Sequence, residues 1–173
     1  MGATHGKNWP WSADNHEVVE FKKLHMSTYT QILYHLVFST KNRANTLDSN
    51  RLPELYKFIW GLLYNKKCHL HRIGGTSDHI HILLDIPPTI TPAALIKDIK
   101  LASSENIKMN NLFPSFEAWQ SGYGAFTCST REKSILTEYI KKQEEHHKKK
   151  TTREELIELL IDNGIKFDLK YLA

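Results

Sequence analysis

The order of the predicted elements in this 173-residue chain favours an α+β fold with a ferredoxin-like, RRM-like split βαβ arrangement. In that arrangement a four-stranded antiparallel sheet carries helices on one face. Four short runs rich in β-branched and aromatic residues alternate with helical patterns in the order β-α-β-β-α-β. Two further helical patterns follow the fourth run and predict extra C-terminal helices. Because folds of this class host unrelated functions, function must be argued from individual residues.

The first half of the sheet is predicted from alternation and turn residues. Residues 29–39 predict a strand with Ile32, Tyr34, Leu36 and Phe38 on one face and Leu33, His35 and Val37 on the other. Residues 51–67 place apolar side chains at helical spacing, with Pro53 in a first turn that tolerates proline. Residues 68–86 predict an antiparallel hairpin around "GGTSD", where glycine allows a positive φ.

The second half is predicted from helix caps and spacing. Residues 87–109 predict a helix, with Thr91 as its N-cap and Pro92 at the first helical position. The fourth strand lies within residues 116–129, and a third helix covers residues 129–150. One side of that helix carries Ile135, Leu136, Tyr139 and Ile140. A short helix follows and ends at Gly164, as a C-terminal cap would.

The domain boundaries follow from a change in pattern. Residues 1–25 show no sustained period and mix Gly, Pro, Asn and His, so we expect a disordered leader outside the fold. Met26 at the junction suggests a native start there, with vector-derived residues ahead of it. The predicted domain covers residues 26–150, and residues 151–173 add a helix and a tail to the same domain.

Composition excludes few function classes. The chain has 23 Lys and Arg against 19 Asp and Glu, and its net charge of +4 favours an acidic partner only weakly. Cys68 and Cys128 fit neither a zinc ribbon nor a disulfide framework, so we expect buried, reduced thiols. No apolar stretch approaches the roughly 18 residues of a spanning helix. We therefore expect no membrane partner and a cytoplasmic location.

Two histidines head the predicted third strand, in "SDHIHILLDIPP". Because side chains alternate along a strand, His79 and His81 share a face. The opposite face, toward the helix-covered core, receives Ile80, Ile82 and Leu84. We therefore expect the histidines on the open face of the sheet. Two imidazoles one pleat apart can bind one divalent ion, but ordinary exposed or hydrogen-bonded histidines fit the same pattern.

The third helix supplies a second polar pair. Tyr139 and Gln143 are four residues apart, so both project from one side of that helix. A glutamine amide oxygen is an acceptable third ligand for a hard or borderline cation. By pattern alone, Tyr139 fits an amphipathic core position better than a functional one.

Five segments in this order resemble the single-tyrosine HUH transposases, small insertion-sequence enzymes that cut and rejoin single-stranded DNA. They are "YHLVFSTKNR", "SDHIHILLDIPP", "WQSGYGAFTCS", "YIKKQEEHHKKK" and "TREELIELLIDNGIKFDLKYLA". The resemblance covers nearly all of the chain from Tyr29 onward. It implies that His79 and His81 are the metal-binding histidines of the family's HUH motif (histidine, hydrophobic residue, histidine). It also implies that Tyr139, on the C-terminal helices, is the catalytic nucleophile and that Gln143 is the third metal ligand.

The resemblance further implies a mechanism, a cofactor and partners. Bound Mg²⁺ or Mn²⁺ would polarise the scissile phosphate, and Tyr139 would attack phosphorus to give a 5′-phosphotyrosine linkage and a free 3′-OH. The cation, together with Lys141 and Lys142, would favour the phenolate. The implied partners are single-stranded DNA with hairpins at the element ends and a second copy of the chain in a homodimer. Tyr139 would act in cis or in trans.

Several roles stay open. Candidate DNA contacts, each of which is also compatible with an ordinary surface residue, are Lys41, Arg43, Lys141, Lys142, His146 and His147. Gly122 and Gly124 fit a close backbone approach, a bulge or a plain sheet bend. One alternative function is a host-adapted relative that processes repeated palindromic DNA, as REP-associated tyrosine transposases do. Another is a non-catalytic single-stranded nucleic-acid-binding module, which predicts stacking aromatics on the sheet.

Overall fold

The computed structural model describes residues 30–147 and 151–169, without the side chains of residues 144 and 146. The predicted leader lies outside the described residues. The strands are β1 Leu33–Ser39, β2 His69–Gly75, β3 His79–Asp85 and β4 Gly124–Cys128. The α-helices are α1 Leu52–Asn65, α2 Pro92–Met109, α3 Lys133–Lys141, α4 Gln143–His146 and α5 Thr152–Asp162. A short 3-10 turn covers Lys41–Arg43.

The four strands form one antiparallel sheet in the order β2-β3-β1-β4. The central pairing of β1 with β3 places Val37 opposite His81 and Ser39 opposite His79. The strands β2 and β3 pair as the predicted hairpin, with an irregularity between Leu70 and Arg72. The topology is the predicted split βαβ arrangement, and it confirms the predicted fold class.

The helices α1 and α2 cover one face of the sheet and enclose the main core. From β3 this core takes Ile80, Ile82 and Leu84, all fully buried. The predicted alternation of this strand is therefore confirmed. The helix α2 begins at its predicted N-cap, because the Thr91 hydroxyl accepts a hydrogen bond from the Ala94 amide at 3.3 Å.

The opposite face of the sheet is also covered. A second, smaller apolar cluster between this face and α3 contains Leu33, Leu83 and Ile140. His79 and His81 are fully buried. The expectation that they lie on an open face is wrong, because the C-terminal helices pack over them. On the side of α3 predicted to carry Ile135 and Ile140 together, Ile140 is buried but Ile135 is 69% exposed.

The C-terminal helices differ from the predicted continuous helix. The helix α3 ends at Lys141, and Lys142 has φ −96° and ψ 17° before α4 begins. The helix α5 begins with a capping box, in which the Thr151 hydroxyl accepts from the Glu154 amide and the Glu154 carboxylate accepts from the Thr151 amide. Gly164 follows α5 with a φ of 65°, as expected of a helix C-terminal cap.

Two expectations from composition can be compared with the fold. Both cysteines are free, as expected, but only Cys68 is buried and Cys128 is half-buried. Among the helices of residues 30–147 and 151–169, none has the length and apolar character needed to cross a membrane.

Candidate active site

The two histidines of β3 meet a carboxylate from α5. His79 Nε2 lies 3.3 Å from Glu155 Oε2, and His81 Nε2 lies 3.4 Å from Glu155 Oε1. All three side chains are buried, and their candidate ligand atoms lie within 4.8 Å of one another. Two imidazoles and a carboxylate at this separation form a group that can hold a divalent cation.

Each imidazole is oriented through its other ring nitrogen. His79 Nδ1 lies 2.7 Å from Asp78 Oδ1, and His81 Nδ1 lies 2.9 Å from His35 Nε2. A proton on Nδ1 of each ring makes these two hydrogen bonds and turns each Nε2 atom toward Glu155. Metal-binding histidines are commonly held in this way, by a carboxylate or another acceptor on the second nitrogen.

Unpaired polar atoms test whether the residues fit a metal. Within the described part of the chain, three buried polar atoms of this site make no hydrogen bond: His79 Nε2, His81 Nε2 and Gln143 Oε1. Buried polar atoms without partners are rare, and they commonly mark the place of an ion or a water molecule. Imidazole nitrogens and an amide oxygen are also metal-binding atoms. The donor set therefore fits a divalent cation.

Tyr139 and Gln143 converge on the same carboxylate. The Tyr139 hydroxyl donates a hydrogen bond to Glu155 Oε1. Gln143 Nε2 donates to that oxygen at 2.8 Å. The sequence pattern placed both residues on one continuous helix; the structure brings them together even though the helix is interrupted at Lys142. The Tyr139 ring lies 5.9 Å from the His81 ring, so the tyrosine is beside the histidine pair of its own chain.

Glu155 is the central side chain of the site. Besides Tyr139 and Gln143, it accepts a hydrogen bond from His147 Nε2 at 2.8 Å. Its side chain is only 3% exposed. Burial would raise the pKa of this carboxyl, but contacts with His147, His79 and His81 outweigh burial and hold the pKa far below its ordinary value. Glu155 is therefore a buried carboxylate anion.

The two histidines differ in their electrostatics. Burial lowers the pKa of His79, but the contacts and negative charges of Asp78 and Glu155 outweigh it and raise the pKa to about 9. For His81 burial dominates and lowers the pKa to about 4, despite the nearby Glu155. The neighbouring His35 has its pKa lowered to about 3 by burial and by His81. His81 and His35 are therefore neutral partners at neutral pH.

The hydroxyl of Tyr139 is not activated in this arrangement. Burial and the negative charge of Glu155 raise the pKa of Tyr139 well above its ordinary value. Lys141 and Lys142 are exposed, and Lys141 Nζ lies 3.9 Å from a Glu138 oxygen. The structure therefore places a carboxylate against the hydroxyl, and the expectation that a bound cation together with these lysines favours the phenolate stays a prediction.

A glycine of β2 sets the position of α3. A Cβ atom on Gly74 would lie 2.5 Å from the Ile140 carbonyl oxygen and 2.9 Å from Ile140 Cγ2. Since real Cβ atoms do not approach a carbonyl oxygen so closely, the end of α3 can occupy this position only against a glycine. Tyr139 directly precedes Ile140, so this contact also fixes where the tyrosine stands.

The two basic candidates from the first half of the chain have different surroundings. Lys41 is exposed and forms an ion pair with Glu117. Arg43 borders the site, because it lines one cleft with His79 and another with Asp78. Burial lowers the pKa of Arg43, although the charge of Asp78 opposes that effect.

The adjacent histidines of α4 and the residue after it were predicted as DNA contacts. His147 points into the site, where its Nε2 donates to Glu155. The side chain of His146 lies outside the described residues. His147 therefore belongs to the hydrogen-bond network around the carboxylate.

Three residues of the site were not found from sequence: His35, Asp78 and Glu155. A signal existed for His35, because strand alternation predicts it on the face opposite the main core. Asp78 directly precedes the histidine pair, at a position where its carboxylate can reach an imidazole. Glu155 carries no local signal beyond an acidic residue in the first turn of a helix, where acids are common.

Comparisons with known proteins identify the family and the fold of this chain. The family described as "Transposase IS200 like" matches residues 28–143. The fold is similar to that of a candidate transposase from Deinococcus radiodurans R1, with TM-score 0.55 and 21% identity over 70% of this chain and 97% of that chain. It is also similar to a REP-associated tyrosine transposase bound to a REP hairpin, with TM-score 0.54 and 14% identity over 72% of this chain and 74% of that chain. At these identities the two structures establish a shared fold. No curated protein sequence matches the chain.

Proposed function

The chain belongs to the IS200-like transposase family, and we propose that it cleaves and rejoins single-stranded DNA through Tyr139. One arrangement carries this proposal: the Tyr139 hydroxyl and the Nε2 atoms of the histidine pair all contact the buried carboxylate of Glu155. A nucleophile next to a group that can hold a cation meets the basic requirement of metal-assisted transesterification at phosphorus.

The proposed metal ligands are His79, His81 and Gln143, and Glu155 adds a carboxylate oxygen to the same group. When bound, Mg²⁺ or Mn²⁺ would polarise the scissile phosphate and stabilise the charge that develops on it. His35 and Asp78 hold the two imidazoles so that their Nε2 atoms face the site.

Tyr139 carries out the proposed covalent step. Its Oη attacks phosphorus and loses its proton, the bond from phosphorus to the 3′ oxygen breaks, and that oxygen gains a proton. The products are a 5′-phosphotyrosine linkage and a free 3′-OH. Attack by the 3′-OH of another strand then releases Tyr139 and rejoins DNA. Because one phosphodiester replaces another, the exchange needs no ATP.

The proposed substrate is single-stranded DNA that carries hairpins at the ends of an insertion element. Support comes from the REP-associated transposase of similar fold, which is bound to a REP hairpin. The proposed DNA contacts are Lys41, Arg43, Lys141, Lys142, His146 and His147. The proposed catalytic domain combines residues 26–150 with residues 151–173, because α5 contributes Glu155.

The same relative favours a second candidate, the processing of repeated palindromic DNA by a host-adapted enzyme. Competition between a hairpin from the DNA that borders the gene and a dispersed palindromic hairpin separates the two functions. Preference for the bordering hairpin supports the transposase, and preference for the dispersed one supports the host-adapted role. The proposed active form is a homodimer, which sedimentation of the chain with and without hairpin DNA tests.

The nucleophile is tested by trapping the covalent adduct. The chain is incubated with Mn²⁺ and an end-labelled hairpin with single-stranded flanks, then separated on a denaturing gel. We expect a protein–DNA adduct from the unmodified chain, none with Tyr139→Phe and none after chelation of the metal. Tyr64→Phe is the matched control, because Tyr64 is exposed on α1, which covers the other face of the sheet. An adduct that persists in Tyr139→Phe contradicts the assignment.

A further inference from the structure

A groove of about 640 Å³ opens beside the candidate active site. Its walls come from β1, residues 120–123, β4 and α5, and its lining includes His79 and Glu155. A molecule that fills the groove therefore contacts the site itself. The volume lies within the range of about 300–1,000 Å³ that is usual for small-ligand sites.

The walls of the groove are mostly apolar. The wall from α5 carries Leu156, Leu159 and Leu160, all half-buried. Tyr123 also lines the groove, and its side chain is 47% exposed. Arg43 contributes a positive charge. An apolar slot with an exposed aromatic ring and a guanidinium group suits a nucleobase and its adjoining phosphate.

The segment that carries Tyr123 is held in place by Lys100 of α2. The Lys100 ammonium donates to the carbonyl oxygens of Gln120 at 2.7 Å and Gly122 at 2.6 Å. It also lies 5.7 Å from the centre of the Tyr123 ring. The Gln120 amide donates to the Ser39 carbonyl at 2.8 Å, which ties the segment to β1. A backbone segment fixed before binding loses little conformational freedom when a base stacks on the ring that it carries.

The two glycines around Tyr123 have different surroundings. A Cβ atom on Gly124 would lie 2.8 Å from Cε2 of the buried Phe126, so glycine allows this ring to form part of the groove. A Cβ atom on Gly122 would meet nothing within 4 Å. Of the roles considered for these two glycines, the structure shows a close approach at Gly124, where the Phe126 ring lies against the glycine, and none at Gly122.

From these observations we infer that the groove binds one unpaired nucleobase next to the scissile phosphate, with Tyr123 as its stacking platform. This inference rests on the proposed function and adds a nucleotide subsite to the same site. A base held between Tyr123 and the leucines of α5 positions its own phosphate near His79. Such positioning favours in-line attack, because the reacting groups no longer have to find each other.

The test is a binding cycle without cleavage. It uses the full chain with Tyr139→Phe and a fluorescently labelled hairpin with a single-stranded flank, taken from DNA that borders the gene. Flank nucleotides are replaced one at a time by an abasic nucleotide, and Kd is measured by fluorescence anisotropy. We expect one abasic position to weaken binding about tenfold, as the loss of one base–aromatic stack does. Adding Tyr123→Ala should weaken binding of intact DNA by a similar factor, and the abasic nucleotide at the sensitive position should then cause no further loss of affinity. Adding Tyr123→Phe should keep both the affinity for intact DNA and the loss caused by the abasic nucleotide.

Tyr64→Ala is the matched control, because Tyr64 is 55% exposed but lies on α1. It should leave every abasic penalty in place. The inference is overturned if no flank position is sensitive, or if Tyr123→Ala leaves the sensitive position unchanged. Cleavage plays no part in this readout. If the unmodified chain forms the adduct but the abasic penalty does not depend on Tyr123, only the subsite is overturned. If the abasic penalty depends on Tyr123 but the unmodified chain forms no adduct, the proposed chemistry is overturned and the subsite remains supported.

Discussion

The two faces of the sheet differ in the polar side chains that they bury. Toward α1 and α2, the strand β3 buries Ile80 and Ile82 in an apolar core. Toward α3 and α5, the same strand buries His79 and His81 around the Glu155 carboxylate. Burial of apolar surface stabilises the first face, whereas burial of polar groups on the second face costs free energy unless each is paired. Alternate residues of β3 thus have different roles: Ile80 and Ile82 stabilise the fold, and His79 and His81 belong to the proposed active site.

The largest effect is expected on the polar face. We predict that His79→Ala with His81→Ala abolishes the covalent adduct, because the site loses both imidazole ligands. Hairpin binding should largely survive, since the proposed DNA contacts are other residues. The measurements are the denaturing-gel assay, fluorescence anisotropy with the same hairpin, and urea unfolding. Cleavage at an unchanged rate would refute the metal site.

Ile80→Ala provides the contrast on the apolar face, one residue away. It should lower the free energy of unfolding by about 2–5 kcal/mol, because it leaves a cavity in the main core. The folded fraction should still form the adduct at low temperature. Two results together would contradict the distinction between the faces. They are an equal loss of unfolding free energy in the double histidine variant and in Ile80→Ala, and a complete loss of cleavage in Ile80→Ala.

A smaller effect is expected where β2 meets α3. Gly74→Ala places a methyl group against the Ile140 carbonyl, so α3 must shift and carry Tyr139 with it. We predict a loss of single-turnover cleavage rate of about 100-fold, the order that a misplacement of about 1 Å can cost. Gly61→Ala is the matched control on α1, where a Cβ atom meets nothing within 4 Å. That control should cleave normally and gain about 0.5–1 kcal/mol in unfolding free energy. Equal cleavage by both variants would contradict the role of Gly74.

The smallest effect is expected from the groups that hold the imidazoles. Asp78→Asn keeps an acceptor for His79 Nδ1 but removes the charge, so Mn²⁺ affinity should fall about tenfold. Isothermal titration calorimetry of the intact chain measures it. The control is Asp98→Asn, which removes the charge of a half-exposed partner of Lys66 and should leave Mn²⁺ binding unchanged. Identical affinities for both variants would show that Asp78 does not support the metal site.

The apolar face was predictable from the sequence because its pattern is local. Alternation along β3 placed Ile80 and the histidines on opposite sides, and helical spacing identified α1 and α2. Helical spacing was less informative for α3, where Ile135 and Ile140 were predicted on one side but only Ile140 is buried. In a short helix with few apolar contacts, the spacing of apolar residues is a weaker guide to which side chains are buried.

The polar face was predictable only in part because its contacts are distant in sequence. His79 and His81 have a recognisable motif, and the resemblance to a known family singled out Tyr139 and Gln143. Glu155 depends on how α5 packs over the sheet, and no local rule predicts that packing. The interruption of the helix at Lys142 was likewise hidden, since "EYIKKQEEHH" contains neither glycine nor proline to mark a break.

The position of Glu155 in the chain has a consequence for protein synthesis. The ribosome makes β3, then α3 and α4, and only afterwards the carboxylate that their side chains contact. A nascent chain that has reached residue 150 therefore contains the histidine pair and Tyr139 without their common partner. The hydrogen-bond network closes only once α5 has been translated and has left the exit tunnel. Assembly of this site therefore follows the synthesis of the four strands and of α3 and α4.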